Sequence, residues 1–273
     1  MAARRRDARS PARSVNPDAV AARLRAAGSV FAEDEARLLL EGAPTRAALE
    51  QLVARRVAGE PLETILGWAA FCGLRIRTAP SVFVPRLRTE LLARRAAALL
   101  PPDGTAVDLC CGTGAVAVAV AALASPGVLH AADLDPAAVA CARRNVEAVG
   151  GTVSEGDLFA ALPAGLAGRI DVLAVNAPYV PTAAIALMPP EARDHEARLA
   201  LDGGSDGLDV HRRVAAAAAD WLAPAGVVLI ETSRAQAPAT AALLAAAGLE
   251  VAVEHDDALD GTIAIGRSRR MEP

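Results

Sequence analysis

The chain of 273 residues contains no lysine, and all 28 of its basic residues are arginine. That absence excludes a Walker-type phosphate loop and any Schiff-base mechanism, since both need a lysine amine. Aromatic residues are nearly missing too, at 3% of the chain, so Ala, Val and Leu must fill the interior of a sequence that is 53% hydrophobic. Against that background the single tyrosine, Tyr179, stands out. The four cysteines, Cys72, Cys110, Cys111 and Cys141, show no metal-ligand spacing and suggest a reducing compartment. The four histidines are scattered, and no metal site is expected. No apolar run is long enough to span a bilayer, so no membrane contact is expected. The arginines near the start (Arg4, Arg5, Arg6, Arg9, Arg13) have no apolar segment behind them and do not read as a secretory signal. A disordered tail over residues 1–15, favoured over an organelle-targeting presequence, and a cytoplasmic location are the expectations. A net charge of −4 argues against a general nucleic-acid binder, which needs a basic face.

What is present is a pair of motifs at the ends of apolar runs. Ala106 to Leu109 reads as a strand, followed by the tight turn Cys110-Cys111-Gly112-Thr113-Gly114 and a helix beginning at Ala115. Glycines at 112 and 114 let the backbone approach a ligand closely. The next apolar run ends in Asp133, about twenty residues past Gly114, the spacing that places an acid on ribose hydroxyls. That pattern fits dinucleotide and adenosyl cofactors alike, and Asp133 could instead cap the helix that follows at Pro136. The detail within the turn favours an adenosyl group. The third glycine of the dinucleotide turn is missing, and Asp108 would repel a pyrophosphate but support an ammonium or sulfonium.

The second motif, Asn176-Ala177-Pro178-Tyr179, closes the apolar run Ile170 to Val175, which reads as a buried parallel strand. Open α/β sheets bind ligands outside the carboxyl ends of their strands. An Asn oxygen and a nearby backbone carbonyl can accept both hydrogens of a planar NH2 group, and a Tyr ring can stack on its flat face. Asn and Pro are also common in plain strand-ending turns.

Along the chain, residues 16–59 hold three short helical patterns. Asn16 and Pro17 mark the first start, and Gly28, Gly42 and Gly59 the stops. Residues 60–87 read as a β-rich connector with strand-like pieces at 71–76 and 81–84. Residues 88–273 alternate strand and helix: helices at 88–100, 136–148, 205–222 and 237–247, strands at 152–154, 170–175 and 226–231. This implies a mostly parallel seven-stranded sheet. The last two strands, 249–254 and 262–266, have no helix between them and should pair antiparallel.

Several ordered blocks carry a family resemblance. These are Gly59-Glu60-Pro61-Leu62 with Ile65-Leu66-Gly67 and Phe71; Val84-Pro85-Arg86 with Thr89-Glu90-Leu91; the Gly turn; Asp133; Gly156-Asp157-Leu158-Phe159; Asn176 to Tyr179; and His195-Glu196 to Ala200-Leu201. Over roughly residues 18–266 the chain resembles the peptide-chain release factor glutamine methyltransferases. The departures are Ala177 and Ala197, where that family usually has Pro. The resemblance implies an α/β class I (Rossmann-like) methyltransferase domain, a small N-terminal helical domain for substrate recognition, S-adenosyl-L-methionine as cofactor, and a release factor as protein partner with no direct nucleic acid.

By the same resemblance, residues Cys110, Cys111, Gly112, Thr113 and Gly114 line the methionine end of the cofactor. Asp133 meets the ribose and Asp157 the adenine amine, with Leu158 over the ring. Asn176 lies between cofactor and substrate, and Ala177, Pro178 and Tyr179 complete the substrate clamp. Glu196 is read as a substrate-side acid, a proton acceptor, or a residue that positions Arg86 or the clamp loop. Two rivals stay open: a nucleic-acid amino methyltransferase with a similar clamp, and a non-catalytic adenosyl-binding protein. A dehydrogenase fits poorly for want of the third glycine.

Overall fold

A computed structural model describes residues 15–269, so the expected Arg-rich tail lies almost wholly outside the described residues. The described chain divides into two compact units: residues up to Gly67 together with Pro190–His195, and Trp68–Pro189 together with Glu196 onward.

The first unit is built from α1 (Pro17–Ala26), α2 (Ala32–Gly42), α3 (Arg46–Val57) and α4 (Leu62–Leu66). Asn16 caps α1 by accepting from Asp18 N, and Thr45 caps α3 by accepting from Ala48 N, each satisfying an N–H that the helix leaves without a partner. Leu24, Leu39, Leu49, Val53 and Ile65 make its core. Arg56 grips Glu35 with two hydrogen bonds of 2.8 and 3.0 Å and reaches Glu191 at 2.6 Å. This ties the short helix Pro190–His195 into the same unit. Within residues 60–67, read from sequence as part of a β-rich connector, Leu62–Leu66 form instead the helix α4, closed by Gly67 in the left-handed region.

The second unit opens with a hairpin, β1 (Trp68–Phe71) and β2 (Leu74–Arg77), followed by α5 (Thr89–Leu99). Residues 81–84 are not a strand; they make a single bridge, Ser81 to Glu196. Strands and helices then alternate: β3 (Thr105–Leu109), α6 (Ala115–Ala124), β4 (Val128–Asp133), α7 (Pro136–Val146), β5 (Thr152–Glu155) and β6 (Ile170–Val175). A short helix, α8 (Pro190–His195), and then α9 (Asp209–Trp221), β7 (Leu222–Glu231), α10 (Ala237–Ala246), β8 (Glu250–Asp256) and β9 (Gly261–Arg267) complete the order. The seven strands lie in the order β5-β4-β3-β6-β7-β9-β8, and β9 runs against both its neighbours while the other contacts are parallel.

Alternation along each central strand sends successive side chains to opposite faces. Ala106, Val172, Ala174, Val227 and Leu229 pack under α5, α6 and α7, with Leu92, Val116, Val120, Ala142 and Val146. Val107, Leu109, Leu173, Val175, Val228 and Ile230 pack with Val214 of α9 and Leu244 of α10 on the other face. The strand order reverses between β3 and β6, the place where such sheets open a ligand crevice. Register levels the strand ends there. Leu109 pairs with Ala132 on one side and with Val175 on the other, and Val175 pairs with Ile230. Asp133, Cys110, Asn176 and Glu231 therefore stand in one row across four neighbouring strands.

Candidate active site

The Gly turn leaves β3 with Cys110 at φ 60°, Gly112 at 53° and Gly114 at 76°, three left-handed conformations within five residues. The two glycines answer different needs. A Cβ on Gly112 would meet nothing within 4 Å, and Gly112 lines the cavity described below. A Cβ on Gly114 would lie 2.5 Å from Val146 Cγ2, so this glycine admits α7 rather than a ligand. Asn145 of α7 braces the turn by donating from Nδ2 to the Thr113 carbonyl at 2.9 Å, and it also bonds the Arg77 backbone.

Asp133 faces the turn. Gly112 N donates to its Oδ2 at 2.8 Å, and Asp135 N donates to its Oδ1 at 2.9 Å. The cap of α7 is Asp135, whose side chain accepts from Ala137 N. Asp133 keeps spare lone pairs on both oxygens, and burial raises its pKa despite the backbone donors. Asp108 is 2% exposed, and Ala117 N at the start of α6 donates to its Oδ2 at 3.0 Å. Burial, with the nearby charge of Asp133, pushes the Asp108 pKa up to about 7. Burial likewise pushes the Cys110 and Cys111 thiols up, so neither is an activated nucleophile.

On the β6 side, Asn176 Nδ2 donates to Thr89 Oγ1 at 3.3 Å, which leaves Oδ1 to accept from a ligand. Tyr179 O–H donates to Glu231 Oε1 at 3.2 Å, and burial with this carboxylate beside it drives the phenol pKa up. The clamp loop is laced to the loop that follows it. Val180 N donates to Leu201 O, Gly203 N to Val180 O and Thr182 N to Gly204 O. Gln236 adds bonds from Nε2 to the carbonyls of Tyr179 and Asp206, both 3.0 Å. Residues 201–207 are thus a brace for the clamp.

One cavity of about 240 Å³ takes in both motifs; Asp108, the turn from Cys110 to Thr113, Asp133, Asp157, Leu158 and Asn176 to Tyr179 all line it. Two expected members stand apart. Gly114 and Glu196 do not line the cavity. Glu196 is 7% exposed and accepts at Oε1 from Val84 N at 3.2 Å and from Arg86 Nη2 at 2.6 Å, so it braces Arg86, which does line the cavity. Of the readings given for Glu196, this geometry fits the brace for Arg86 and not a contact with substrate in the cavity. Asp157 is paired with Arg213 of α9 at 2.7 Å, and Leu158 sits at φ 50°. Arg213, Glu231, Asn145 and Gln236 support the site and were missed in the sequence; Thr89 stood in a resemblance block, but its contact with Asn176 was not foreseen. The one available signal was Glu231, an acid at the carboxyl end of a central strand. Among the described residues no cluster of His, Cys, Asp or Glu is arranged to hold a metal ion, and no helix is long and apolar enough to cross a membrane.

An open sheet of this order, with the Gly turn and the strand-end acids on one cavity, defines the class: a methyltransferase dependent on S-adenosylmethionine. A family model described as "Methyltransferase small domain" matches residues 71–197. A methyltransferase from Pyrococcus furiosus shares the fold, with a TM-score of 0.56 at 16% identity over 72% of this chain and 90% of that one. The release factor glutamine methyltransferase of Geobacter sulfurreducens is 41% identical over 193 residues, 70% of this chain and 67% of that protein. A 4-amino-L-phenylalanine/4-methylamino-L-phenylalanine methyltransferase from Streptomyces pristinaespiralis is 38% identical over 203 residues, 72% of this chain and 69% of that protein. The chain belongs to the release factor glutamine methyltransferase family.

Proposed function

We propose that the chain methylates the side-chain amide nitrogen of a glutamine in a peptide-chain release factor, the glutamine of a Gly-Gly-Gln tripeptide. The observation that carries the reading is that Asn176 donates to Thr89 and keeps Oδ1 for a ligand, on the same cavity as Asp133. The residues present fit the cofactor. Gly112 leaves room beside Asp133, whose carboxylate would accept from the ribose hydroxyls. Asp108 and residues 110–113 would face the methionine end. Asp157, held by Arg213, would meet the adenine amine, with Leu158 over the ring. When bound, the cofactor supplies an electrophilic methyl group on a sulfonium.

A carboxamide nitrogen is a poor nucleophile because its lone pair is delocalised into the carbonyl. Asn176 Oδ1 and the Ala177 carbonyl accept its two hydrogens, raise its electron density and aim it, while the Tyr179 ring flanks the amide plane. Such placement can lower the barrier by several kcal/mol. Tyr179 keeps its proton, so it acts as wall and donor rather than base. As the nitrogen takes the methyl group, the S–CH3 bond breaks and the sulfonium becomes the neutral thioether of S-adenosylhomocysteine; the amide proton leaves late, to water, and no strong base is needed at the start. The work belongs in the cytoplasm, where release factors act, and the four free thiols suit that compartment.

The relative that methylates an arylamine supplies a second reading, a small planar amine in the same grip. The test is incubation with labelled cofactor and, separately, a purified release factor, 4-amino-L-phenylalanine and duplex DNA, followed by mass spectrometry. One added methyl on the Gly-Gly-Gln peptide alone is expected. Asn176→Ala should abolish it while cofactor Kd stays within about twofold. Transfer only to the arylamine or to DNA overturns the proposal.

A further inference from the structure

The reaction above gives no role to Glu231, yet this carboxylate is sealed at the sheet edge, 2% exposed and level with Asn176. Burying an acid is costly unless its charge is satisfied. Its neighbours come from two elements. From the clamp loop, Tyr179 O–H donates to Oε1. From the start of α5, Arg88 Nε lies 3.7 Å from Oε1, and the Thr89 hydroxyl comes near enough to stabilise the charge. Oε2 has no hydrogen-bond partner among the described residues.

The sense of the hydrogen bonds follows from proton counting. A hydroxyl has one proton to give, and an ionised carboxylate can only accept. Beside an ionised Glu231, a Thr89 that accepts from Asn176 has its one proton to give toward the carboxylate. Only the Nδ2 end of Asn176 can then face Thr89. Were residue 231 an amide or a protonated acid, it could donate to Thr89, and Thr89 could donate to Asn176. The Asn176 carboxamide would then turn over and offer N–H donors to a substrate that itself brings N–H donors.

We propose, on the reading of residues 176–179 as a nitrogen grip, that Glu231 is a positioning residue: it sets the sense of the Thr89–Asn176 hydrogen bond and anchors Tyr179. The grip therefore depends on Glu231 being ionised. Burial raises its pKa above the ordinary carboxylate value, and the groups facing it are the Arg88 cation and the neutral Tyr179 phenol. Protonation disables the grip, so kcat should be intact at neutral pH and fall as pH drops through that raised value.

The test is kcat against pH with a purified release factor, beside cofactor Kd by calorimetry. Glu231→Gln should lower kcat about ten- to a hundredfold, the worth of one charge-assisted hydrogen bond, and should erase the acid limb with cofactor Kd unchanged. Thr89→Ser keeps the hydroxyl and should stay near native. Thr89→Val should match Glu231→Gln, and the double variant should fall no further, because both act through one bond. Native kcat with an unchanged acid limb in Glu231→Gln overturns the proposal, as does equal behaviour of Thr89→Ser and Thr89→Val. If Glu231→Gln does not fold, the Thr89 pair decides. Asn176→Ala separates the two levels: native activity there sinks the grip itself, whereas a dead Asn176→Ala beside a native Glu231→Gln sinks only this inference.

Discussion

A Cβ on Gly114 would lie 2.5 Å from Val146 Cγ2, whereas one on Gly112, two residues earlier, would meet no atom. Gly114→Ala should therefore destabilise the chain by about 2–4 kcal/mol, overpacking added to left-handed strain, read as a drop in Tm. Gly112→Ala carries only the conformational cost, about 1–2 kcal/mol, but puts a methyl into the cavity, so its larger effect should be on cofactor Kd. Equal losses of stability in the two variants would contradict this division. Asp108 offers a pH test. Its pKa is pushed up to about 7 when folded, against an ordinary carboxylate value when unfolded. Across that interval the folded state holds the extra proton, so stability falls as pH rises from about 4 to 7 and levels off above. Asp108→Asn cannot titrate and should gain stability relative to the native chain over that same window, in Tm measured without cofactor. Single residues were legible where chemistry and strand position coincide, as at Asp133 and Asn176. Asn145 and Arg213 were not, because each reaches the site from a helix distant in sequence and carries no local pattern; Thr89 stood in a resemblance block, with nothing local to say that its hydroxyl would meet Asn176.

At the scale of elements, seven strands and their helices could be read from apolar runs and Gly or Pro punctuation, with boundaries displaced by a few residues. The helix expected from 205 begins at Asp209, because residues 201–207 are held as a loop against 180–182. The failures share a cause. Helix α4 has five residues, too few for a period to show, and Ser81–Val84 has strand-like residues but only one bridge partner. The helix Pro190–His195, far along the chain, joins the first unit through Glu191 and Arg56, a long-range pairing invisible to periodicity. The brace at Gln236 carries an element-scale prediction. Gln236→Ala removes two bonds from the clamp and its neighbouring loop. Substrate KM should rise about five- to thirtyfold with cofactor Kd unchanged, for two hydrogen bonds at about 0.5–1 kcal/mol each. A change confined to cofactor Kd would place Gln236 elsewhere in the account.

For the whole molecule, the near-absence of aromatics is met by packing Ala, Val and Leu on both faces of one sheet; Phe159 stacked on Trp221 at 5.5 Å is an exception. The net charge of −4 matters for partners. A protein substrate held by a local grip predicts methylation that declines only modestly with salt. Neutralising many phosphates would instead give the steep logarithmic loss of nucleic-acid binding. The central claim is that one cavity holds a carboxamide against the methyl donor. Its most direct measurement is a crystal structure with S-adenosylhomocysteine and a Gly-Gly-Gln peptide. The glutamine side-chain nitrogen should lie within about 3 Å of Asn176 Oδ1, with the cofactor ribose on Asp133. A glutamine side chain bound away from Asn176, or a cofactor ribose away from Asp133, would contradict it.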